Sequence, residues 1–201
     1  MHVQLAHRLD RETSGVLVAT KDPTTNDRVH RAFREQRVRK GYLALVVGQP
    51  SEERFVVEGP IGRHPNSRVQ IRMAVVSEGT PARTEAEVIE RLPGCSMLRV
   101  RPTTGKTHQI RVHLSHASLP VVGDKIYGPD EGLFLRWLED GLDETDWAIL
   151  GMRRQALHAE TLELPHPWRT GLVYVESPTP ADIRIHRASL RNRVDTPKVP
   201  S

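Results

Sequence analysis

The stretch HRLDRETSG, residues 7–15, places two arginines and two carboxylates around a single aliphatic residue, Leu9. The apolar run from Val16 to Ala19 follows at once. This order predicts a charged turn at the mouth of a buried strand over residues 16–20. Solvation is the ordinary reason for such charges, and a carboxylate held at that position for chemistry is the alternative.

The chain after this turn contains more strand patterns than helical ones. Asp22 and Pro23 predict the N-cap and first position of a helix over 23–37, with Val29, Ala32 and Phe33 on its apolar side. Further helices are expected over 106–117, 131–140 and 144–150, strands over 40–48, 55–62, 83–92, 96–101, 156–167 and 171–176, and a basic polar loop over 63–70. From residue 177 onward the chain is expected to be loosely attached or partly helical. Because several strands follow one another directly, the order favours an α+β domain with a largely antiparallel mixed sheet flanked by short helices.

The composition of the 201-residue chain is that of a globular protein, since 37% hydrophobic and 27% charged residues suffice for one domain with a core. No apolar run approaches the length needed to cross a bilayer, and the first residues, MHVQLAHRLD, lack the apolar segment of a cleavable signal. The single cysteine, Cys95, cannot form an internal disulfide, which favours a reducing compartment. The expected location is therefore the cytoplasm.

The charges are segregated along the chain, although the net charge is only +4. One acid, Glu35, stands among the cations Arg28, Arg31, Arg34, Arg37, Arg39 and Lys40, and the C-terminal tail adds Arg184, Arg187, Arg191, Arg193 and Lys198. By contrast, residues 130–146 carry one cation, Arg136, among Asp130, Glu131, Glu139, Asp140, Asp143, Glu144 and Asp146. A chain polarised in this way can attract a polyanion to one face, and solvated helix faces are the alternative explanation.

A second informative stretch is RPTTGKTHQIRVHL, residues 101–114. On a helix, Thr107, Ile110, Arg111 and Leu114 share one stripe, whereas Val112 lies elsewhere and His113 on the flank. An arginine on an inward stripe needs a carboxylate partner, unless its stem carries the guanidinium to the surface. The pattern alone leaves both possibilities open.

Three familiar kinds of catalytic system find little support in the sequence. A zinc site lacks both an HExxH motif and a cysteine pair, and His113 and His116 have no indicated third ligand. Ser14 lacks the GxSxG elbow of a serine nucleophile. The segment Gly105 to Thr107 resembles the end of a phosphate-binding loop, but Val100 stands where its first glycine is required. The catalytic arrangement that remains is a lone carboxylate with a basic partner.

Five motifs together resemble the RluA family of pseudouridine synthases. In order and approximate spacing these are HRLDRETSG, KGYLALVVG, GKTHQIRVHL, GDKIYG and LHAETLELPHP, which span roughly residues 5–177. The resemblance implies a pseudouridine-synthase-like α+β catalytic domain over 1–177, with an acidic helical insertion at 129–150 and a basic tail at 178–201.

The resemblance also implies an activity. Such enzymes isomerise uridine in ribosomal or transfer RNA: the bond from base N1 to the ribose breaks, the uracil rotates while bound, and C5 bonds to the sugar. Atoms are conserved, so no cofactor, metal or nucleotide is expected. RNA is the expected partner. Binding to a membrane or to a metal is not expected, and the expected oligomeric state is a monomer. The scarcity of aromatic residues, 4%, favours recognition of RNA shape and one flipped base over extended stacking platforms.

The family's essential aspartate matches Asp10, which by this resemblance would either attack the sugar or deprotonate the ribose at C2′. The arginine of its HQIR motif matches Arg111, whose guanidinium would favour the charged carboxylate and fix its orientation. Its active-site tyrosine matches Tyr42, which would stack on the uracil and assist removal of the C5 proton; an ordinary strand aromatic is the alternative.

The remaining implied site residues bind substrate or support the loop. Arg8 would fill the gap left by the flipped nucleotide, and Leu157 would line the base pocket, unless it is ordinary core. Supporting roles are expected for His7, Thr13, Gly15 and His108, namely local hydrogen bonds, a tight turn and orientation of the helix that carries Arg111. Lys106 is expected to contact the substrate. Asp124 would shape a loop without a catalytic role.

The sequence also departs from the family, because HRLDRETSG stands near its start without the usual earlier strand segment and small RNA-binding domain. This predicts a poorly held Asp10 loop. It keeps open a catalytically weak or inactive RNA-binding or ribosome-assembly factor of the same fold. A nucleoside hydrolase is a more distant alternative, for which paired carboxylates such as Asp10 and Glu12 would be required.

Overall fold

The computed structural model describes residues 3–193. Within that range short strands alternate with short helices. In chain order these are β1 Gln4–Leu5, β2 Ser14–Gly15, β3 Ala19–Thr20, α1 Pro23–Arg34, β4 Arg39–Val47, β5 Arg54–Glu58, β6 Ile61–Arg63, β7 Met73–Val75, β8 Arg83–Leu92, β9 Cys95–Pro102, α2 Gln109–His116, α3 Gly132–Glu139, α4 Glu144–Leu150, β10 Leu157–Pro165, β11 Leu172–Glu176 and α5 Ala181–Arg191.

The central sheet has the strand order β11-β10-β4-β9-β8-β5, and each neighbouring pair in it is antiparallel. The short strand β2 joins β10 in parallel, with Ser14 opposite His158. Tight turns explain the antiparallel pairing: between β8 and β9 the chain reverses at Gly94, whose φ of 69° suits glycine. The predicted α+β class and largely antiparallel mixed sheet are confirmed.

The main apolar core lies against β4 and β9. Leu45 and Leu98 from these strands are fully buried together with Leu114 of α2 and Ile183 of α5. Of the two alternatives for the chain beyond 177, the helical one therefore holds for α5, and loose attachment is wrong there. Residues 194–201, which include Lys198 of the predicted basic tail, lie outside the described part of the chain.

The predicted buried strand over 16–20 is wrong in most of its length. Only Ala19–Thr20 pairs as a strand, with Gln4–Leu5, and Leu17 is exposed. The backbone N–H of Val16 donates to the Ala159 carbonyl, and that of Val18 donates to Nε2 of His7. Because loop partners satisfy these groups, no continuous ladder forms.

Other boundaries differ for identifiable reasons. Asp22 caps α1 as predicted, its Oδ1 accepting the Thr25 N–H at 2.8 Å, but the helix ends at Arg34, and Gln36 takes a φ of 55°. The helix predicted over 106–117 begins at Gln109, because His108 has a φ of 57°. Thr107 is consequently exposed and does not share the buried stripe.

The remaining predicted elements lie close to observed ones. The strand pattern at 55–62 divides into β5 and β6 around Gly59 and Pro60, and β7 lies just beyond the predicted loop at 63–70. The predicted acidic helices are α3 and α4, and the strand predictions at 40–48, 83–92, 96–101, 156–167 and 171–176 are confirmed to within two residues at each end. Between residues 3 and 193, none of the helices has the length and apolar character needed to span a membrane.

Candidate active site

A cavity of about 350 Å³ opens between the 7–13 loop, strand β4 and the beginning of α2. Its volume is that of a small-ligand pocket. Every predicted site residue lines it: His7, Arg8, Asp10, Thr13, Tyr42, Lys106, His108, Arg111 and Leu157. Further lining residues that the sequence did not single out for this site include His30, Phe33, Lys40, Thr104 and Gln109.

The loop that carries Asp10 turns sharply before it meets the sheet. The Thr13 N–H donates to the Asp10 carbonyl at 3.0 Å, and Glu12 takes a φ of 73°. At Gly15 the chain presses so closely on the Ala159 backbone that a Cβ would overlap it, and its φ of 120° also requires glycine. The expected tight turn at Gly15 thus anchors the loop against β10.

Arg111 binds two carboxylates from the interior of the protein. Its Nη1 lies 3.2 Å from Oδ2 of Asp10, while Nε and Nη2 lie 2.6 and 2.8 Å from the two oxygens of Asp124. Its side chain is only 5% exposed, so of the two possibilities for Arg111 the carboxylate partner is the one observed. The bidentate partner, however, is Asp124 rather than Asp10.

Asp124 organises the segment of the GDKIYG motif as well as Arg111. Its Oδ1 accepts the backbone N–H groups of Ile126 and Tyr127 at 3.0 and 3.1 Å, which agrees with the expected loop-shaping role. Burial would raise the pKa of the Asp124 carboxyl, but the Arg111 guanidinium and these N–H groups outweigh it and hold the pKa below its usual value. The sequence signal for this partner was the inward arginine, because one loop carboxylate cannot accept from all five N–H donors of a buried guanidinium.

Tyr42 lies on β4, opposite Ala159 of β10 and Val100 of β9. Burial, and then the nearby charge of Asp10, raise the pKa of Tyr42 to about 12. At neutral pH the phenol therefore keeps its proton, so it can stack on a ligand or donate a hydrogen bond.

Three of the predicted supporting residues make local contacts. Nε2 of His7 accepts the Val18 N–H at 3.0 Å, and burial lowers the pKa of His7, so the ring is neutral at pH 7. Oγ1 of Thr13 accepts a hydrogen bond from Gln155 at 2.6 Å. Nδ1 of His108 lies 2.8 Å from the Tyr127 hydroxyl, which fixes the ring at the start of α2.

The other predicted residues sit at the cavity wall in different ways. Leu157 is buried in the main core and also lines the cavity. Lys106 is held at its backbone, whose N–H donates to Oε1 of Gln109 at 3.0 Å. Arg8 is exposed. Of the acidic side chains between residues 3 and 193, only Asp10 lines this cavity, against the cations Arg8, Lys40, Lys106 and Arg111.

Glu12 does not join Asp10 in the cavity. Both of its carboxylate oxygens lie 3.0 Å from Nζ of Lys125, which also donates to the Arg153 carbonyl at 2.8 Å. The ammonium lies 4.9 Å from the ring centroid of Trp137 on the acidic insertion. The expected second carboxylate of a hydrolase is thus engaged elsewhere.

The Asp10 loop is well held. Besides the Lys125 ion pair, Gln155 donates to the Arg11 carbonyl at 3.2 Å and Arg154 to the Glu12 carbonyl at 3.0 Å. The expectation of a poorly held loop is therefore wrong, because residues 125 and 153–155 supply the contacts.

The histidines considered as a metal pair have other surroundings. Nδ1 of His113 lies 2.8 Å from the Thr84 hydroxyl, and its Nε2 lies 3.2 Å from the Gly59 carbonyl. His116 is exposed. In the part of the chain that the structure describes, no three His, Cys, Asp or Glu side chains converge as they would around a metal ion.

Comparisons with known proteins agree with this geometry. The family model described as RNA pseudouridylate synthase matches residues 1–116. Ribosomal large subunit pseudouridine synthase D of Nitrosomonas europaea is 40% identical over 191 residues, which cover 94% of this chain and 51% of the relative. Synthase C of Escherichia coli K12 is 35% identical over 190 residues, which cover 94% of this chain and 57% of the relative. The chain thus spans little more than half the length of these two relatives.

Solved structures give the same result for the fold. Human RNA pseudouridylate synthase domain containing 1 superposes with a TM-score of 0.71 at 33% identity, covering 88% of this chain and 69% of the human chain. Human RNA pseudouridylate synthase domain containing 4 gives a TM-score of 0.72 at 26% identity, with 94% and 76% covered. The fold is that of a pseudouridylate synthase domain. The chain belongs to the RluA family of RNA pseudouridine synthases, as its five motifs predicted.

Proposed function

We propose that this protein isomerises specific uridines in structured RNA to pseudouridine, and that its substrate is ribosomal RNA rather than transfer RNA. The observation that carries the proposal is the Asp10 carboxylate, held by buried Arg111 at the wall of a cavity that has room for one nucleotide. The names of the relatives from Nitrosomonas europaea and Escherichia coli, which specify the large ribosomal subunit, favour ribosomal RNA.

The proposed reaction begins with a uridine flipped into the cavity, which costs a few kcal/mol of unstacking. Asp10 either attacks the sugar at C1′ or removes the C2′ proton, and in both cases the bond from C1′ to N1 breaks. The uracil rotates and C5 bonds to C1′, while the ester bond from Asp10 to C1′ breaks in the first case and the C2′ proton returns to the sugar in the second. The proton on C5 then leaves and N1 gains one. Tyr42 stacks on the base and assists the departure of that proton, and Arg111 keeps the Asp10 carboxylate oriented throughout.

Arg8, Lys40 and Lys106 line the same cavity as Asp10 and give it an excess of positive charge, as expected for an RNA partner. The overall reaction conserves atoms, and we propose that this chain needs no cofactor for it. We propose a cytoplasmic protein that acts as a monomer.

An RNA-binding or ribosome-assembly factor without turnover would use the same cations. The ion pair of Asp10 with Arg111 inside the cavity favours the enzyme, because RNA binding alone gives no reason to hold a carboxylate where phosphates must approach. A nucleoside hydrolase is disfavoured by the position of Glu12, which Lys125 holds outside this cavity.

The experiment is to map pseudouridine in ribosomal and transfer RNA from cells with and without the gene, and then to incubate purified protein with RNA from the deletion strain. We expect a defined set of pseudouridines to return with the wild-type protein. Asp10→Asn should lower their formation at least about a thousandfold with the thermal unfolding curve intact. Asp140→Asn, an exposed aspartate at the end of α3, is the matched control and should be fully active.

Each alternative has its own outcome in this assay. Activity that survives in Asp10→Asn would remove that residue from its role. RNA binding without isomerisation by the wild-type protein would favour the assembly factor, and release of free uracil would favour the hydrolase.

A further inference from the structure

Lys40 is a cation of the cavity that the reaction described above does not use. It stands two residues before Tyr42 on β4, so the two side chains leave the strand on the same face, about 7 Å apart along it. Both line the cavity. That separation is comparable with the span from a base to its own phosphate.

The ammonium of Lys40 has no carboxylate within ion-pair distance among residues 3–193. Its one hydrogen bond in that range goes to the Thr104 carbonyl at 3.3 Å. Burial lowers the pKa of Lys40. A partly buried cation without an anion is unfavourable in the free protein, and an arriving anion would relieve that cost.

A neighbouring groove on the other side of Lys40 contains two carboxylates, Glu85 and Glu163. Arginines already engage both, since Arg83 lies 3.3 Å from Glu85 and Arg39 lies 3.3 Å from Glu163. These acids therefore leave the Lys40 ammonium available to a ligand.

The loop from Thr104 to Lys106 lies directly against the ammonium. A Cβ built on Gly105 would be 3.5 Å from Nζ of Lys40, an ordinary contact distance, so residue 105 lies beside the ammonium. Gln109 fixes the loop, because its Oε1 accepts from the Thr104 hydroxyl at 2.7 Å and from the Lys106 N–H at 3.0 Å. The wall beside Lys40 is therefore ordered before any ligand arrives.

We propose that Lys40 and Lys106, with the loop of residues 104–106 between them, bind the backbone phosphate next to the flipped uridine. This subsite rests on the proposed function, because the uracil is taken to stack on Tyr42. It assigns the phosphate to the end of the cavity formed by β4 and the 104–106 loop, and leaves the Asp10 carboxylate facing the sugar.

The first test uses nuclear magnetic resonance of lysine side chains in the full chain, labelled with ¹³C at Cε. Uridine, uridine 3′-monophosphate and uridine 5′-monophosphate are added at equal concentrations. We expect the Lys40 Cε signal to shift with at least one monophosphate and to move much less with uridine. An equal response to uridine, or no response to any of the three, would overturn the proposal.

The second test measures binding of a fluorescent oligouridylate at several salt concentrations. Loss of one phosphate contact should make the slope of log K against log salt shallower by about 0.7 in Lys40→Met, and weaken binding about fivefold to tenfold at low salt. Lys40→Arg keeps the charge and should keep the slope. Lys21→Met removes an exposed lysine outside the cavity and should leave slope and affinity as in the wild type.

Failure of the subsite and failure of the proposed function are distinguishable, because neither binding test requires turnover. A wild-type slope in Lys40→Met, with pseudouridine still formed, would sink the subsite alone. The expected lysine shifts and slope change without any pseudouridine would retain the phosphate site and reject the isomerase.

Discussion

Nη1 of Arg111 lies 3.2 Å from Oδ2 of Asp10, although 101 residues separate them in the chain. The rest of the guanidinium is occupied by Asp124, which binds Nε and Nη2. Burial would lower the pKa of Arg111, but the charges of Asp124 and Asp10 outweigh it and raise the pKa above its ordinary value. Asp124 therefore fixes the plane of the guanidinium, and Arg111 in turn offers one remaining edge to Asp10.

Replacing Arg111 with lysine tests whether the planar, forked shape of the guanidinium is needed for catalysis and stability. Lysine keeps the charge but cannot bind Asp124 through two parallel bonds and reach Asp10 as well. We expect Arg111→Lys to slow isomerisation about tenfold to a hundredfold and to lower the free energy of unfolding by about 3 kcal/mol. Single-turnover kinetics and urea denaturation measure the two effects.

The matched control is Arg136→Lys, because Arg136 also makes a bidentate pair, with Asp146, but its own side chain is about half exposed. Solvent reaches the Arg136 guanidinium, whereas Arg111 is buried, so the loss of this pair should change the free energy of unfolding less. Unchanged turnover in Arg111→Lys would show that the fork geometry is dispensable.

Acid stability should depend on Asp124. Its pKa in the folded protein lies below the value of about 3.9 in an unfolded chain. The carboxylate therefore stabilises the fold fully above pH 4, and this contribution is lost as the pH falls through the folded pKa. We expect Asp124→Asn to lower the free energy of unfolding at pH 7 by about 3 kcal/mol, because Arg111 is left buried with one weaker partner.

Measurements at several pH values distinguish the loss of a titrating carboxylate from a simple packing defect. Urea denaturation from pH 7 down to pH 2 should give a wild-type curve that falls below pH 4 and converges on a flatter Asp124→Asn curve. Two parallel curves would mean that titration of Asp124 contributes nothing to stability.

The ion pair of Glu12 with Lys125 should act on catalysis through the position of the Asp10 loop. Glu12→Gln leaves the Lys125 side chain, which is 3% exposed, with a weaker partner two residues from Asp10. We expect kcat to fall about tenfold with little change in KM, and the free energy of unfolding to drop by about 3 kcal/mol. Steady-state kinetics on a stem-loop that contains a mapped target uridine provides both constants.

Glu35→Gln is the control for this change, since Glu35 pairs with Arg37 at the surface, where each side chain is about half exposed. It should leave kcat, KM and stability close to wild-type values. A rise in KM with constant kcat in Glu12→Gln would indicate lost RNA binding and refute the positioning role.

Much of the fold was predictable because local patterns and tertiary packing agree in this chain. Alternating residues and the turn at Gly94 define β8 and β9 within two residues, and Asp22 with Pro23 defines the start of α1. The apolar run after Gly15 predicted a strand that does not form. The backbone N–H groups of Val16 and Val18 donate to Ala159 and His7 instead of joining a continuous strand pair. Periodicity carries no information about such partners.

The site was predictable to the extent that its residues stand in motifs. Asp10, Arg111 and Tyr42 were found in that way, and all three line one cavity. Asp124 as the bidentate partner, Lys125 against Glu12, and the ammonium of Lys40, which has no carboxylate partner among residues 3–193, were missed. Each depends on segments that are distant in the chain and meet only in the folded protein, and no spacing rule encodes such contacts.

The proposed role of Tyr42 in removing the C5 proton gives the last prediction. With a pKa of about 12, the phenol is almost wholly protonated at neutral pH. It can therefore accept the C5 proton only while passing its own to an acceptor, for which we propose the Asp10 carboxylate, whose charge contributes to that raised pKa. Tyr42→Phe keeps the ring but loses this relay.

We expect Tyr42→Phe to bind RNA as tightly as the wild type and to release tritium from C5-labelled uridine at least about a hundredfold more slowly. Tyr42→Ala should in addition weaken binding, because stacking on a base contributes about 1–3 kcal/mol. The wild-type rate should show no inflection from Tyr42 between pH 6 and 9. A rate that climbs tenfold per pH unit across that range would instead mean that a phenolate is the base, and equal tritium release by Tyr42→Phe and wild type would leave the hydroxyl without a role in proton removal.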